Sequence, residues 1–136
     1  MIDSVRNNEL ERVIDFLDDG VDPNWKNNCG DTALIVASRY GYSDIAGILL
    51  DHKADPDTKD DVGNTALIVA SRYGYTAIVG MLMIYGANPD RKNNVGDTAV
   101  IVASRYGYSD IVNLINKRVQ VRALSESWKN ILAPYR

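Results

Sequence analysis

The feature of this sequence that most limits its possible folds is an internal repeat with a period of 33 residues. Residues 30–62 and 63–95 are identical at 20 of 33 positions, and residues 96–111 repeat the opening of the first of these copies at 15 of 16 positions. A degenerate copy precedes them over residues 9–29. A repeat of this length is typical of stacked units, each of which contacts only its neighbours.

Each copy predicts two short helices joined by a tight turn. A threonine in each copy is placed to cap the first helix through its side-chain oxygen: Thr32, Thr65 and Thr98. A glycine in each copy can end that helix in a left-handed conformation: Gly41, Gly74 and Gly107. A second helix is predicted to follow, capped by the next hydroxyl residue: Ser43, Thr76 and Ser109.

The remainder of each copy predicts an exposed loop. The segment ADPDTKDDVGNT is rich in Asp, Asn, Pro and Gly, which favour turns over helices. Small residues in the first helix, such as Ala37 and Ser38, allow neighbouring copies to approach closely. Because one copy cannot bury its own apolar face, the sequence predicts an all-α solenoid of about four stacked helical hairpins.

The two ends of the chain are predicted to act as caps. Residues 1–29 present a polar outer face, and at the other end the repeat pattern stops after Ile115. We expect Ser125 to cap a short last helix that Pro134 ends, with Trp128 packed on the last repeat. The predicted organisation is one domain over residues 1–136, divided into a capping repeat 1–29, repeats 30–62 and 63–95, a C-terminal repeat 96–124 and a capping tail 125–136.

The composition disfavours catalytic and metal-binding functions. The chain has one cysteine, Cys29, and one histidine, His52, which excludes an internal disulfide and a thiolate zinc site. No activated nucleophile, phosphate-binding glycine loop or EF-hand spacing is found in the sequence, so we predict a protein that is not an enzyme and uses no cofactor. The sequence also lacks a secretory signal and a membrane-length apolar run, which favours an intracellular, cytoplasmic location.

With these features, the chain resembles the ankyrin repeat family. The family pattern G-x-T-P-L-H-x-A-A-x-x-G-H stands here as GDTALIVASRYGY, GNTALIVASRYGY and GDTAVIVASRYGY, and its G-A-D-V-N as GVDPN, KADPD and GANPD. Alanine replaces the proline of the family, isoleucine its first histidine and tyrosine its second. The resemblance implies a module for protein–protein recognition.

The resemblance also implies where a partner binds. Each Ser-Arg-Tyr-Gly-Tyr segment places an arginine and a tyrosine at first-helix positions that ankyrin proteins use, with their loops, to line a concave groove. We call these six residues the Arg-Tyr ladder: Arg39, Tyr40, Arg72, Tyr73, Arg105 and Tyr106. Three loop residues complete the predicted surface: Asp31, Asn64 and Asp97. Trp25 is a further candidate, since tryptophan is a favoured interface anchor and the tip of a loop is exposed.

An alternative interpretation gives these residues structural roles only. The arginines could pair with loop aspartates such as Asp31 and Asp97, while the tyrosines shield the seams between repeats. Trp25 could pack against Pro23 or Lys26. If the ladder binds a partner, an acidic or amphipathic protein surface suits its guanidinium groups and phenols, and the chain would act as an adaptor or inhibitor.

The net charge of -3 hides a gradient along the chain. Segments 1–29 and 30–62 each carry -4, whereas segments 63–95 and 96–136 carry +2 and +3. This distribution argues against a nucleic-acid surface, because the positive charge is neither large nor continuous. It suggests head-to-tail self-assembly as one alternative function. A structural or engineered repeat scaffold without a dedicated partner is another.

Overall fold

In the computed structural model, the backbone is described for residues 1–132 and the side chains for residues 1–121. Over residues 1–132 the chain forms eight α-helices and no strand. The helices are α1 (Ile2–Arg6), α2 (Leu10–Asp18), α3 (Ala33–Tyr40), α4 (Ser43–Asp51), α5 (Ala66–Tyr73), α6 (Thr76–Ile84), α7 (Ala99–Arg105) and α8 (Ser109–Leu132).

The helices are arranged in two parallel rows. The odd-numbered helices contact one another in the order α1, α3, α5 and α7, and the even-numbered helices do so in the order α2, α4, α6 and α8. Each odd-numbered helix also packs on the even-numbered helix that follows it. One apolar core runs between the rows through all four hairpins. The predicted all-α solenoid of helical hairpins is therefore confirmed.

The predicted starts of α3, α5 and α7 are confirmed, as are the predicted glycine ends of α3 and α5, whereas α7 ends at Arg105, two residues before Gly107. The Oγ1 atoms of the three capping threonines accept hydrogen bonds from the backbone N–H of Ile35, Ile68 and Ile101 at 3.2, 3.3 and 3.3 Å. The glycines that follow these helices have φ angles of 76, 77 and 78°. A left-handed residue at this position costs little only when it is glycine.

The predicted caps of α4 and α6 are wrong. These helices begin at Ser43 and Thr76 themselves, and the capping residues are Tyr42 and Tyr75, neither of which makes a side-chain cap hydrogen bond. The Thr76 hydroxyl instead donates to Asp110 Oδ2 at 2.9 Å, which joins one repeat to the next. The hydroxyl therefore links two repeats.

The tyrosine at the end of each Ser-Arg-Tyr-Gly-Tyr segment fills the seam between repeats. A Cβ atom built on Gly41 would lie 2.6 Å from the ring of Tyr75, and one built on Gly74 would lie 2.6 Å from the ring of Tyr108. Both glycines are thus required twice, for their positive φ and for the space that the tyrosine of the next repeat occupies.

The loops also join each repeat to the next. Lys26 Nζ donates to the carbonyl oxygen of Lys59 at 2.7 Å, and Lys59 Nζ donates to that of Lys92 at the same distance. Between the same two repeats as the second of these bonds, Asp57 Oδ1 accepts from the backbone N–H of Asn88 at 2.8 Å. The loops are therefore tied into a row of their own beside the odd-numbered helices.

The C-terminal end differs from the sequence-based expectation. The separate last helix capped by Ser125 is wrong, because α8 continues from Ser109 to Leu132, a length of about 36 Å. Residues 116–127 contain no Gly or Pro to end the helix and are rich in good helix formers. The predicted packing of Trp128 lies outside the described side chains. Within residues 1–132, no helix combines the length and hydropathy that crossing a bilayer requires.

The outer face of the last repeat is open. Ile35 and Ile68 are 1% and 2% exposed, but Ile101, at the same position of α7, is 43% exposed. A Cβ atom built on Gly107 would meet no described heavy atom within 4 Å. Among the residues whose side chains are described, none fills the position beside Gly107 that a tyrosine ring occupies at the two earlier seams.

Candidate partner-binding surface

The three ladder tyrosines form an exposed row. Tyr40, Tyr73 and Tyr106 are 44%, 47% and 48% exposed; the first two end α3 and α5, and the third directly follows α7. Because packed helices are spaced about 8–10 Å apart, the phenols repeat at about that interval. Tyr40 stacks on Tyr42 with ring centroids 5.7 Å apart, so its ring is held in place while one face remains open.

Two of the three ladder arginines are bound by their own loops. Arg39 donates from both terminal nitrogens to the carboxylate of Asp31, at 3.0 Å each, and Arg105 donates in the same way to Asp97 at 2.8 and 3.1 Å. The alternative interpretation, in which ladder arginines pair with loop aspartates, is therefore confirmed for Arg39 and Arg105. In each case the side chain extends back along its own helix to the residue just before the capping threonine.

These ion pairs affect the protonation of their members. The hydrogen bonds to Asp31 raise the pKa of Arg39, and the negative charge of Asp60 in the next loop adds to this. The hydrogen bonds from Arg105 lower the pKa of Asp97 below its ordinary value, against a smaller opposing effect of burial. The charged forms of Arg39 and Asp97 are therefore favoured.

Arg72 has different surroundings. The residue that corresponds to Asp31 and Asp97 in its repeat is Asn64, which carries no charge. Among the residues whose side chains are described, Arg72 forms no ion pair. Its guanidinium carbon lies 5.9 Å from the ring centroid of Tyr106, within the range of a cation–π interaction. Arg72 is therefore an exposed cation that an aromatic ring orients.

Arg72 lines a pocket between the third and fourth repeats, which we call the Arg72 pocket. Its volume is about 220 Å³. Polar groups and apolar side chains from α5, α7 and the loop between α6 and α7 form its walls. The lining residues most relevant to binding are Asn64, Arg72, Asn93, Val95, Asp97 and Tyr106.

The structure joins some of the predicted site residues and separates others. The Arg72 pocket brings Asn64, Arg72, Asp97, Arg105 and Tyr106 together. Trp25 does not line this pocket. It is 58% exposed in the loop between α2 and α3, so its role in binding stays a prediction. Asp31 is a partner of Arg39 and is buried, which removes it from the accessible surface.

Half of the residues that line the pocket were not predicted from the sequence, and two of these, Val95 and Asn93, lie in the loop between α6 and α7. Val95 is 80% exposed at the pocket edge, and Asn93 donates from Nδ2 to Asn64 Oδ1 at 3.0 Å. The sequence does contain a signal at this site, because the aspartate of each loop alternates between two positions from one copy to the next. The loops carry Asn27 with Asp31, then Asp60 with Asn64, then Asn93 with Asp97.

The two residues with the most reactive side chains lie elsewhere. His52 follows α4, where its Nδ1 is 2.9 Å from the carbonyl oxygen of Ile48, a position that fits a hydrogen bond to the helix end. Cys29 is exposed in the first loop. Within the described residues, no group of three or more His, Cys, Asp or Glu side chains is arranged to hold a metal ion.

The fold and the site together define a class of protein: a helical-repeat solenoid with an exposed row of arginine and tyrosine along one face. A comparison with protein families matches residues 1–93 to the family described as ankyrin repeats, in 3 copies. The chain belongs to the ankyrin repeat family, whose members are generally protein-interaction modules. The helical hairpin of α7 and α8 lies beyond the matched residues and is seen in the structure. A search of curated proteins finds no match to the chain.

Proposed function

We propose that this protein binds a protein partner through the face that carries the Arg-Tyr ladder and the adjoining loops. The observation that carries the proposal is the row of three half-exposed tyrosines at the ends of packed helices: Tyr40, Tyr73 and Tyr106. Tyrosine and arginine are the side chains that contribute most often to binding hot spots. Contiguous exposed patches of large side chains often mark protein interaction sites.

The binding mode follows from how the ladder is built. The arginines and tyrosines lie on helices that pack in one continuous core, so little conformational entropy is lost when a partner binds. In this scheme Asp31 and Asp97 hold two arginines in place, whereas Asn64 and the tyrosines contact the partner. We propose that the whole chain acts as one domain and that it holds or covers its partner, as an adaptor or an inhibitor does.

A capture experiment with matched variants tests this function. The purified protein is immobilised and exposed to a lysate of its source cell, beside a ladder variant with Tyr40→Ala, Tyr73→Ala and Tyr106→Ala. The control variant is Ile84→Ala, which removes a side chain that is 63% exposed on α6, in the other row of helices. We expect the wild type and the control to retain the same partner, and the ladder variant to retain at least about tenfold less of it.

The same experiment can contradict the proposal. If the ladder variant keeps its helical circular dichroism spectrum and retains the partner as well as the wild type does, the ladder is not the binding face. An isolated complex then separates the two modes of action, because an inhibitor lowers the activity of its partner and an adaptor joins two partners without doing so.

A second candidate function is self-association from head to tail. The open face of α7, with Ile101 43% exposed, favours it, since an exposed apolar position in a repeat array is normally covered by a neighbour. The charges are complementary, because the first two repeats carry -4 each and the last segment carries +3. Light scattering at low and high salt tests it: an oligomer that dissociates as salt rises supports the idea, and a monomer at every salt concentration rejects it.

A further inference from the structure

The three ladder arginines stand in identical segments but have different neighbours. Arg39 lies between two carboxylates, because Asp31 of its own loop takes both terminal nitrogens and Asp60 of the next loop adds a second negative charge. Its guanidinium is therefore already occupied. A partner carboxylate would have to displace an ion pair that is largely buried on the aspartate side.

Arg72 lies between two amides at the same two positions. Its own loop provides Asn64 and the next loop provides Asn93, each 33 residues after the corresponding aspartate around Arg39. Both asparagines line the Arg72 pocket. The exchange of Asp and Asn between loops thus removes both negative charges from one arginine of the three and leaves its positive charge available.

The remaining charged groups of the pocket do not neutralise Arg72. The carboxylate of Asp97 also lines the pocket, but both of its oxygens accept hydrogen bonds from Arg105. The pair is held together closely enough that the pKa of Asp97 is lowered. The net local charge therefore comes from Arg72 alone.

The pocket also offers hydrogen-bond donors and an apolar edge. Asn64 accepts from Asn93 through Oδ1, which leaves its Nδ2 group as a donor at the same pocket. Tyr106 orients the guanidinium from one side, and Val95 provides an exposed apolar surface at the rim. A planar carboxylate can take two hydrogen bonds from a guanidinium, and the methylene groups that carry it would contact the valine.

We propose that the Arg72 pocket receives the carboxylate of an aspartate or glutamate side chain of the protein partner. The inference rests on the proposed function. Instead of an acidic partner surface that faces all three ladder arginines, it requires a single carboxylate at one position. Arg39 and Arg105 serve to order the surface, while Arg72 provides the charge that selects the partner.

Two pools of short peptides test the proposal. The pools have the same random flanking sequences and differ at one central position, which is glutamate in one pool and glutamine in the other. Each pool is passed over immobilised protein, and the retained peptides are quantified by mass spectrometry. We expect the wild type to retain the glutamate pool about tenfold better, the size of effect that a charge-assisted hydrogen bond provides.

Matched variants identify the pocket. Asn64→Asp introduces beside Arg72 the aspartate that the neighbouring repeats have at this position, so the fold should be kept. The ratio of retained glutamate peptides to retained glutamine peptides should then fall to about one. Arg72→Gln should have the same effect. The reverse exchange in the next repeat, Asp97→Asn, releases Arg105 and should preserve or raise the ratio. Circular dichroism confirms that each variant is folded.

The outcomes separate this proposal from the proposed function. If the wild type retains both pools equally, and retention falls when Tyr73 and Tyr106 are changed to alanine, the face binds peptides without the carboxylate preference and only this inference is overturned. If the preference survives Asn64→Asp and Arg72→Gln, the carboxylate is bound elsewhere and the inference is wrong. If neither pool is retained better by the wild type than by the tyrosine variant, both proposals are rejected.

Discussion

The internal seams of the solenoid and its open C-terminal face contain the same sequence in different surroundings. Helix α5 is buried between α3 and α7, whereas within the described residues α7 has a neighbour in the odd-numbered row on one side only. Ile68 and Ile101 occupy the same position in nearly identical helices, yet their exposures are 2% and 43%. How much a residue contributes to stability therefore depends on whether its helix lies inside the row or at its end. We test this with four predictions, in order of decreasing expected effect.

The strongest test changes the same residue at both places. Ile68→Ala should lower the free energy of unfolding by about 2–5 kcal/mol, because it leaves a cavity in a closed seam. Ile101→Ala should cost less than about 1 kcal/mol, because the side chain is already half in water. Urea denaturation of the two variants measures the difference. Equal losses would show that the open face is covered in solution.

A second pair of variants tests the tyrosine seats. Gly74 and Gly107 share a positive φ, so alanine at either position should cost about 1–2 kcal/mol. Among the described side chains, a tyrosine ring, that of Tyr108, lies against Gly74 and none lies against Gly107, so Gly74→Ala should lose more stability than Gly107→Ala. Thermal unfolding of both proteins measures this. A larger loss for Gly107→Ala would contradict the seat arrangement.

A third prediction concerns the glycines inside the even-numbered helices. A Cβ atom built on Gly47 would lie 3.6 Å from Met81 Sδ, and one on Gly80 would lie 3.8 Å from Leu114 Cδ2, both ordinary van der Waals distances. Gly47→Ala and Gly80→Ala should each stabilise the protein by roughly 1 kcal/mol, since alanine is the better helix former. A lower urea midpoint for either variant would show that these seams do not accept a methyl group.

The smallest effect is expected at the Asp97–Arg105 pair, which lies at the open end. Its hydrogen bonds lower the pKa of Asp97 in the folded protein, so the pair stabilises the fold above the ordinary aspartate pKa. This contribution is lost as the pH falls through the lowered pKa. The urea midpoint of the wild type should therefore decrease more steeply below about pH 4 than that of Asp97→Asn. Parallel pH profiles for the two proteins would contradict the prediction.

Most of the fold could be predicted from the sequence because its signals are local. The capping threonine and the final glycine of each first helix act within a few residues, and the 33-residue period states that the units stack. The sequence pattern does not predict the continuous α8, because the end of the repeat pattern suggests the end of a helix. The loss of the loop motif removes a helix stop, and residues 116–127 contain no other.

The distinction between the ladder arginines could not be predicted in the same way. Each arginine lies in its own copy of the Ser-Arg-Tyr-Gly-Tyr segment. Because the copies are identical, the segment alone predicts the same role for all three. Their roles differ because of loop residues: Asp60, in the loop that follows α4, acts on Arg39 in α3. Contacts of this kind depend on how the loops and helices pack side by side, and the sequence of the motif does not specify this packing.

The lysine bonds between loops have a consequence for how such a chain can change in length. Lys26 donates to the carbonyl oxygen of Lys59, and Lys59 donates to that of Lys92, so each bond joins equivalent atoms one period apart. Loss or duplication of a whole 33-residue unit would offer every lysine the same acceptor as before. The lysine hydrogen bonds are therefore kept when whole 33-residue repeats are inserted or deleted, and they are broken by insertions or deletions of any other length.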